Sequence, residues 1–296
     1  MEMLLINLYH IFVWRAELVL SDFVLHKMFT TSEFDGIVAI ELGAGTGLVG
    51  MLLARVAKTV FLTDHGVEIL ENCARNVHLN SVMLPSKTWV YVRELDWKAS
   101  WPPNQSNSTS SHSYGWNLSE IEELERASLL VAADVIYSDD LIDALFTTLE
   151  RLMSHGLNKV LYLAIEKRYN FSLDDLDVVA NRYSCFRSYV RDETGRDPFF
   201  FRVILLSLKA CFVLSSRLPL LVSNGGLATI NDAEHHELLQ NGMECTFVGS
   251  RIDLTEIPQY ANNYDRGQDL ELWEIRYARK VKKTKNLKRF VKEHFL

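Results

Sequence analysis

The stretch that most restricts what this chain can fold into reads Ile37-Val-Ala-Ile-Glu41-Leu-Gly43-Ala-Gly45-Thr-Gly47-Leu-Val-Gly50. An apolar run over residues 37–42 has the length and branched content of a buried strand. Three alternate glycines then let the backbone turn sharply and approach a ligand with no Cβ in the way. Residues 48–56 continue as a helix, whose free amides and positive dipole end point at whatever lies over the glycines. Glu41 puts a carboxylate at the strand's carboxyl end, where open α/β sheets bind ligands.

Two cofactor classes fit such a turn. Gly45-Thr-Gly47-Leu-Val-Gly50 matches the dinucleotide pattern G-x-G-x-x-G, and Asp64 ends the next strand 19 residues after Gly45, where a ribose-binding acid belongs. An anionic pyrophosphate would not favour a carboxylate as close as Glu41. S-adenosylmethionine (SAM), which carries an ammonium and a sulfonium, would. The turn residues Gly43, Ala44, Gly45, Thr46 and Gly47 are therefore expected to hold SAM together with Glu41 and Asp64, with an NAD-linked oxidoreductase as the alternative.

The rest of the chain supplies the layers around this turn. Apolar residues recur at helical spacing over residues 14–29, which gives a covering helix before the first strand. Strands follow at 59–63, 88–94, 128–133 and 159–165, and helices at 66–79, 139–153 and 173–190. Five alternations of strand and helix require right-handed crossovers and a parallel sheet covered on both faces. Residues 244–252 and 270–277 look like two strands with no helix between them, an antiparallel pair closing a seven-strand sheet. A dinucleotide fold would place a further parallel strand there. The expected architecture is a single α/β domain over residues 1–296, doubly wound and mostly parallel. A Ser/Asn-rich loop at 98–119, an apolar insertion at about 198–232 and a basic tail at 279–296 interrupt it or follow it.

Composition narrows the class. With 48% hydrophobic and 23% charged residues the chain can bury one large core. Cys73, Cys185, Cys211 and Cys245 are scattered without metal-ligand spacing, so neither zinc nor a disulfide framework is expected. Residues 1–13 lack the basic start and cleavage site of a secretory leader, so nucleus and cytoplasm are the expected compartments. On that basis the Asn-X-Ser/Thr triplets at Asn104, Asn107, Asn117 and Asn170 are coincidences of composition. The apolar run 203–222 is broken by Lys209, Arg217 and Pro219, too interrupted for a membrane span.

Methyl transfer from SAM is an in-line displacement, so positioning residues are the ones to look for, and no metal is needed. Asp64 is expected to accept from ribose hydroxyls, or else to cap the following helix. Asp96-Trp97 offers a carboxylate for the adenine amino group and an indole for the purine face. Trp14 either closes over the cofactor or anchors its helix in the core. The constellation Ala132-Ala133-Asp134-Val135-Ile136-Tyr137 stands at the end of the fourth strand. Base-modifying methyltransferases place prolines where Val135 and Ile136 stand. Asp134 and Tyr137 instead suit a lysine nucleophile, a carboxylate to hold the ammonium and an aromatic wall to orient the amine. Asp134 could also serve as a helix cap.

Val13-Trp14, residues 41–47, Glu94-Leu-Asp96-Trp97, Asp134 through Tyr137 and Glu166-Lys-Arg168 occur in this order. Together they resemble the family 16 seven-strand protein lysine methyltransferases. The resemblance covers residues 13–190 and resumes at 245–277. It implies a monomeric, SAM-dependent enzyme that methylates a lysine of one non-histone protein, with Ala133 among the cofactor contacts and Asp134 and Tyr137 at the lysine. A small-molecule methyltransferase and an inactive cofactor-binding scaffold are the further alternatives.

The charge is uneven. Residues 279–296 hold eight Lys or Arg against one acid, a net of +7, which leaves −14 on the rest of a chain whose total is −7. Such a block is either a solvated end or an arm for nucleic acid or an acidic protein. As an arm, its deletion leaves turnover on a short lysine peptide unchanged and weakens nucleic-acid binding at low salt. Equal nucleic-acid retention by truncated and full-length chains in a filter-binding assay would make it only a solvated end.

Overall fold

The computed structural model describes residues 13–103, 114–156, 158–172, 177–192, 247–261 and 264–278. The apolar insertion at 198–232, the basic tail, Cys211 and Cys245 lie outside these residues. Helix α1 (Arg15–Thr30) leads into β1 (Val38–Leu42), α2 (Leu48–Leu53), β2 (Thr59–Asp64), α3 (Val67–Leu79) and β3 (Trp89–Glu94). Then come α4 (Leu118–Glu125), β4 (Leu129–Ala133), α5 (Asp139–Met153) and β5 (Val160–Glu166). The carboxyl-terminal part has β6 (Asn170–Ser172), β7 (Asp177–Val179), α6 (Asn181–Tyr189), β8 (Val190–Asp192), β9 (Phe247–Ile252) and β10 (Leu270–Tyr277).

The main sheet runs β3-β2-β1-β4-β5-β10-β9-β8. Strands β3, β2, β1, β4 and β5 are mutually parallel, and β10 is antiparallel to both β5 and β9, the expected closing pair. The sheet has eight strands rather than seven, because β8 adds to β9 in parallel at the edge. Strand β1 is buried throughout, as its apolar run requires, and its residues alternate between two cores. Ala39 joins the layer under α1, α2 and α3; Val38, Ile40 and Leu42 join the layer under α4, α5 and α6. The order reverses beside β1, so the cleft at its carboxyl end is where a ligand can enter.

Two expected elements differ from the structure. Among the described residues of the expected helix 173–190, helix is confined to α6, and β7 pairs with β6 as a short antiparallel ladder before it, residues 173–176 lying outside the described residues. Three aspartates at 174, 175 and 177 and the β-branched pair Val178-Val179 weaken helix formation there. The Ser/Asn-rich loop also ends earlier than its composition suggests. Trp116 is fully buried, stacks on Phe61 at a centroid distance of 5.3 Å and donates from Nε1 to the Glu94 carbonyl at 2.7 Å. Asn117 and Glu120 form a capping box that starts α4. The Asn117 triplet that mimics a glycosylation site is thus a helix-start signal.

Helix α1 is tied to the far end of the chain through Asp22, which is fully buried. Its Oδ1 accepts from the amides of Tyr260 and Ala261, both at 2.7 Å, and its Oδ2 accepts from Tyr264 Oη and from Arg266 Nη2, the latter at 2.9 Å. Removing one partner of such a network leaves a buried cation and bare donors. Asp22→Ala is expected to lower unfolding free energy by about 3 kcal/mol, read from urea denaturation; a loss under about 1 kcal/mol would mean the β9–β10 loop is held by other contacts.

Candidate cofactor and substrate site

The backbone of the glycine turn is left-handed where the sequence has glycine: φ is +65° at Gly43, +49° at Gly45 and +78° at Gly47. The three do different work. A Cβ at Gly43 would lie 2.7 Å from Val135 Cγ1 and 3.6 Å from Trp97, so this glycine allows the loops after β3 and β4 to close against the turn. A Cβ at Gly45 would meet nothing within 4 Å and would stand in open space. At Gly47 a Cβ would meet Cys73 Sγ at 2.9 Å and Leu62 Cδ1 at 3.2 Å. Gly47 therefore faces the core and caps α2, and it is not among the cavity-lining residues.

Over the turn lies a cavity of about 440 Å³, of a size that takes a drug-sized ligand. Its wall includes Trp14, Glu41, Gly43, Ala44, Gly45, Thr46, Asp64, Asp96, Trp97, Ala133, Asp134 and Tyr137, every expected site residue except Gly47. Each comes from the carboxyl end of a strand or, for Trp14, from the start of α1. Glu41 is buried below the turn and its Oε2 accepts from the Gly50 amide at 2.8 Å. Asp64 reaches across from β2, accepting from the Gly45 amide at 2.8 Å and from the His65 amide at 2.7 Å. It caps no helix; Gly66 holds that position. Asp96 is half-buried and accepts from the Lys98 amide at 2.9 Å, which folds the loop that presents Trp97.

Asp134 follows β4 with φ +56°, a left-handed conformation that costs on the order of 1 kcal/mol for a residue with a Cβ and is concentrated at functional sites. Its amide donates to the Ala164 carbonyl at 3.0 Å, and its Oδ2 pairs with Arg168 Nη2. Ser138, not Asp134, is the cap of α5. The Arg168 guanidinium also lies 4.9 Å from the Trp14 ring centroid. Trp14 is 52% exposed and stands on the rim, so it does not anchor α1 in the core. Tyr137, 45% exposed, stands on the rim as well.

The sequence assigns no role to two wall residues. Arg168, just after β5, enters only as part of the Glu166-Lys-Arg168 motif of the resemblance, and its pairing with Asp134 is what places it in the site. Glu17 lies on the buried face of α1 with Leu20, Ser21 and Val24, where its Oε1 accepts from Thr46 Oγ1 at 2.6 Å. An acid on the apolar face of a covering helix was the available signal. The wall is strongly acidic as a result. Burial pushes Glu17 up to about 7, holds Glu41 well above the usual carboxylate range and raises Asp64. Burial also takes Asp134 to about 6, against the opposing pull of Arg168.

Residues 9–180 match the family model described as lysine methyltransferase. The chain belongs to the lysine methyltransferase family. It is 41% identical over 180 residues to methyltransferase-like protein 22 of Homo sapiens, covering 60% of this chain and 43% of that protein. The Mus musculus protein of that name is 40% identical over 179 residues, with 60% of this chain and 44% of the relative covered. Protein N-lysine methyltransferase METTL21A of Mus musculus is 33% identical over 174 residues, with 58% and 67% covered. The chain thus spans less than half the length of the two methyltransferase-like proteins 22.

The acids make stability depend on pH in a defined sense. Glu17 and Asp134 bind protons more tightly in the folded chain, at about 7 and about 6, than at their ordinary values of 4.5 and 3.8. Their contribution is fully present below the ordinary values and is lost as pH rises through the folded ones. The ligand-free chain is expected to melt at a lower temperature at pH 8 than at pH 5.5, by scanning calorimetry. A Tm that rises over this interval would contradict the burial of these carboxyls.

Proposed function

We propose that this chain is a SAM-dependent protein-lysine N-methyltransferase, and that the reading rests chiefly on one observation: an acid-walled cavity over the glycine turn that opens at Asp134 and Tyr137. The fit to SAM is chemical. A ligand bearing an ammonium and a sulfonium suits a wall containing Glu17, Glu41 and Asp64, whereas a pyrophosphate would be disfavoured by it. When bound, SAM supplies an activated methyl group. Glu41 and the turn amides orient the aminoacyl end, Asp64 accepts from ribose hydroxyls, Asp96 takes the adenine amino group and Trp97 covers the purine face. Ala44, Gly45 and Ala133 let the ligand approach backbone closely, and Trp14 covers it from α1.

Asp134 and Tyr137 hold the incoming lysine. Lysine must be neutral to attack, and its unperturbed pKa near 10.4 means that it arrives as an ammonium. In this reading the Asp134 carboxylate shares its hydrogen bonds between Arg168 and the substrate ammonium, Tyr137 walls the amine, and as the amine is desolvated beside the cofactor's cation an N–H bond breaks, its electron pair stays on nitrogen and the proton passes to solvent at the open mouth. Trp14 and Tyr137 stand exposed at the mouth, which favours a protein surface over an enclosed small molecule. An NAD-linked enzyme is disfavoured by the acidic wall and by the antiparallel closing strands. We further propose a monomer acting in nucleus and cytoplasm on one non-histone protein.

The test is to incubate the chain with cell extract and isotopically labelled SAM, then locate label on lysine by mass spectrometry. Asp134→Ala should retain SAM affinity while methylation falls by roughly one to three powers of ten, the scale of a lost positioning or proton-handling group. Undiminished turnover in the variant would remove Asp134 from the site, and label on no lysine would remove the activity.

A further inference from the structure

Glu17 lies in the first turn of α1 and is 7% exposed. Its partner Thr46 is fixed in turn by Asn76 Nδ2, which donates to the Thr46 carbonyl at 3.0 Å, so the carboxyl has a defined place on the cavity wall. The charged groups facing it are Glu41 from β1 and Asp134 from the turn after β4, and Asp64 at the end of β2 adjoins Glu41. The basic residues on the wall are engaged elsewhere: Arg168 pairs with Asp134, and His65 Nδ1 lies 3.4 Å from Glu94. Among the described residues no Lys, Arg or His pairs with Glu17 or Glu41. Two coupled acids therefore share one wall without a protein counter-charge.

SAM and its product S-adenosylhomocysteine both carry an amino group and a carboxylate. They differ at sulfur, a sulfonium cation in one and a neutral thioether in the other. We propose that Glu17 is a specificity-determining residue that reads this charge, favouring the sulfonium cofactor over the thioether product. The inference rests on the SAM reading of the cavity. With Glu17 at about 7 and Glu41 held by burial well above the usual carboxylate range, the pair retains a proton around neutrality. A cation at the wall favours the ionised form: the carboxylic O–H bond breaks, its electron pair stays on oxygen and the proton passes to buffer. Methyl transfer removes the cation, a proton returns from solvent, and the product loses the attraction that held the cofactor.

Calorimetric titration of the full chain with each ligand, at pH 7 in two buffers of different ionisation enthalpy, measures this directly. SAM is expected to release on the order of half a proton or more, and S-adenosylhomocysteine far less. Glu17→Gln keeps the side-chain shape and its acceptor for Thr46. In a variant shown to be folded by its thermal melt, the preference for SAM over the product should fall about tenfold, with product affinity moving less than about threefold. An unchanged preference in the folded variant overturns the proposal. So does equal proton release by the two ligands in the wild-type chain, whatever the variant does. If neither ligand binds the wild-type chain, the SAM reading falls and the proposal with it, an outcome distinct from the other two.

Discussion

The structure depends on keeping a carboxylate beneath the glycine turn. Glu41 is inside the sheet, where an uncompensated charge costs several kcal/mol. The Gly50 amide offsets part of that cost, and burial avoids much of the rest by holding the carboxyl's proton affinity well above the usual carboxylate range. Gly50 has no alternative here, since a Cβ would lie 2.0 Å from Leu62 Cδ2 and 2.7 Å from Glu41 Oε2. The turn itself is latched to β2 from both sides: the Ala44 amide donates to the Thr63 carbonyl at 2.9 Å, and Thr63 Oγ1 donates to the Glu41 carbonyl at 2.6 Å. A rigid acidic floor follows from these contacts.

The opposite rim is assembled by three consecutive residues at the carboxyl end of β5. Glu166 pairs with Arg15 of α1, Lys167 with Glu271 of β10 at 2.6 Å, and Arg168 with Asp134. One short segment thereby joins the covering helix, the antiparallel strand β10 and the candidate lysine-binding turn. Glu271 also accepts from Tyr183 Oη at 2.7 Å and Trp273 Nε1 at 2.9 Å, so the rim is anchored in the second core. Asp134 is held in its left-handed conformation by the hydrogen bond its amide donates to the Ala164 carbonyl and by Arg168, not by local preference. The site is therefore as rigid as the sheet end that carries it.

Much of this is legible in the chain. The run to Leu42, the glycines and Glu41 define the first strand, the turn and the cavity floor because each is a local demand of backbone and burial. The closing antiparallel strands are legible from the absence of a helix between them. What escaped detection was non-local or masked by composition. Trp116 looks like a loop aromatic until Phe61 and the Glu94 carbonyl are seen beside it. Glu17 looks like an ordinary acid in a first helical turn, and only the approach of Thr46 makes it part of the wall. Gly47 satisfies a ligand-binding pattern, yet Cys73 and Leu62 show that it serves packing.

The central claim is that the ligand lies over the turn, in the open space above Gly45. Affinity of Gly45→Arg for SAM tests it most directly, because a side chain there enters the cavity without meeting protein atoms near its Cβ. The account predicts that the variant, folded by its circular dichroism and melt, no longer binds SAM in a calorimetric titration. Wild-type affinity in a folded variant would put the cofactor elsewhere and contradict the account.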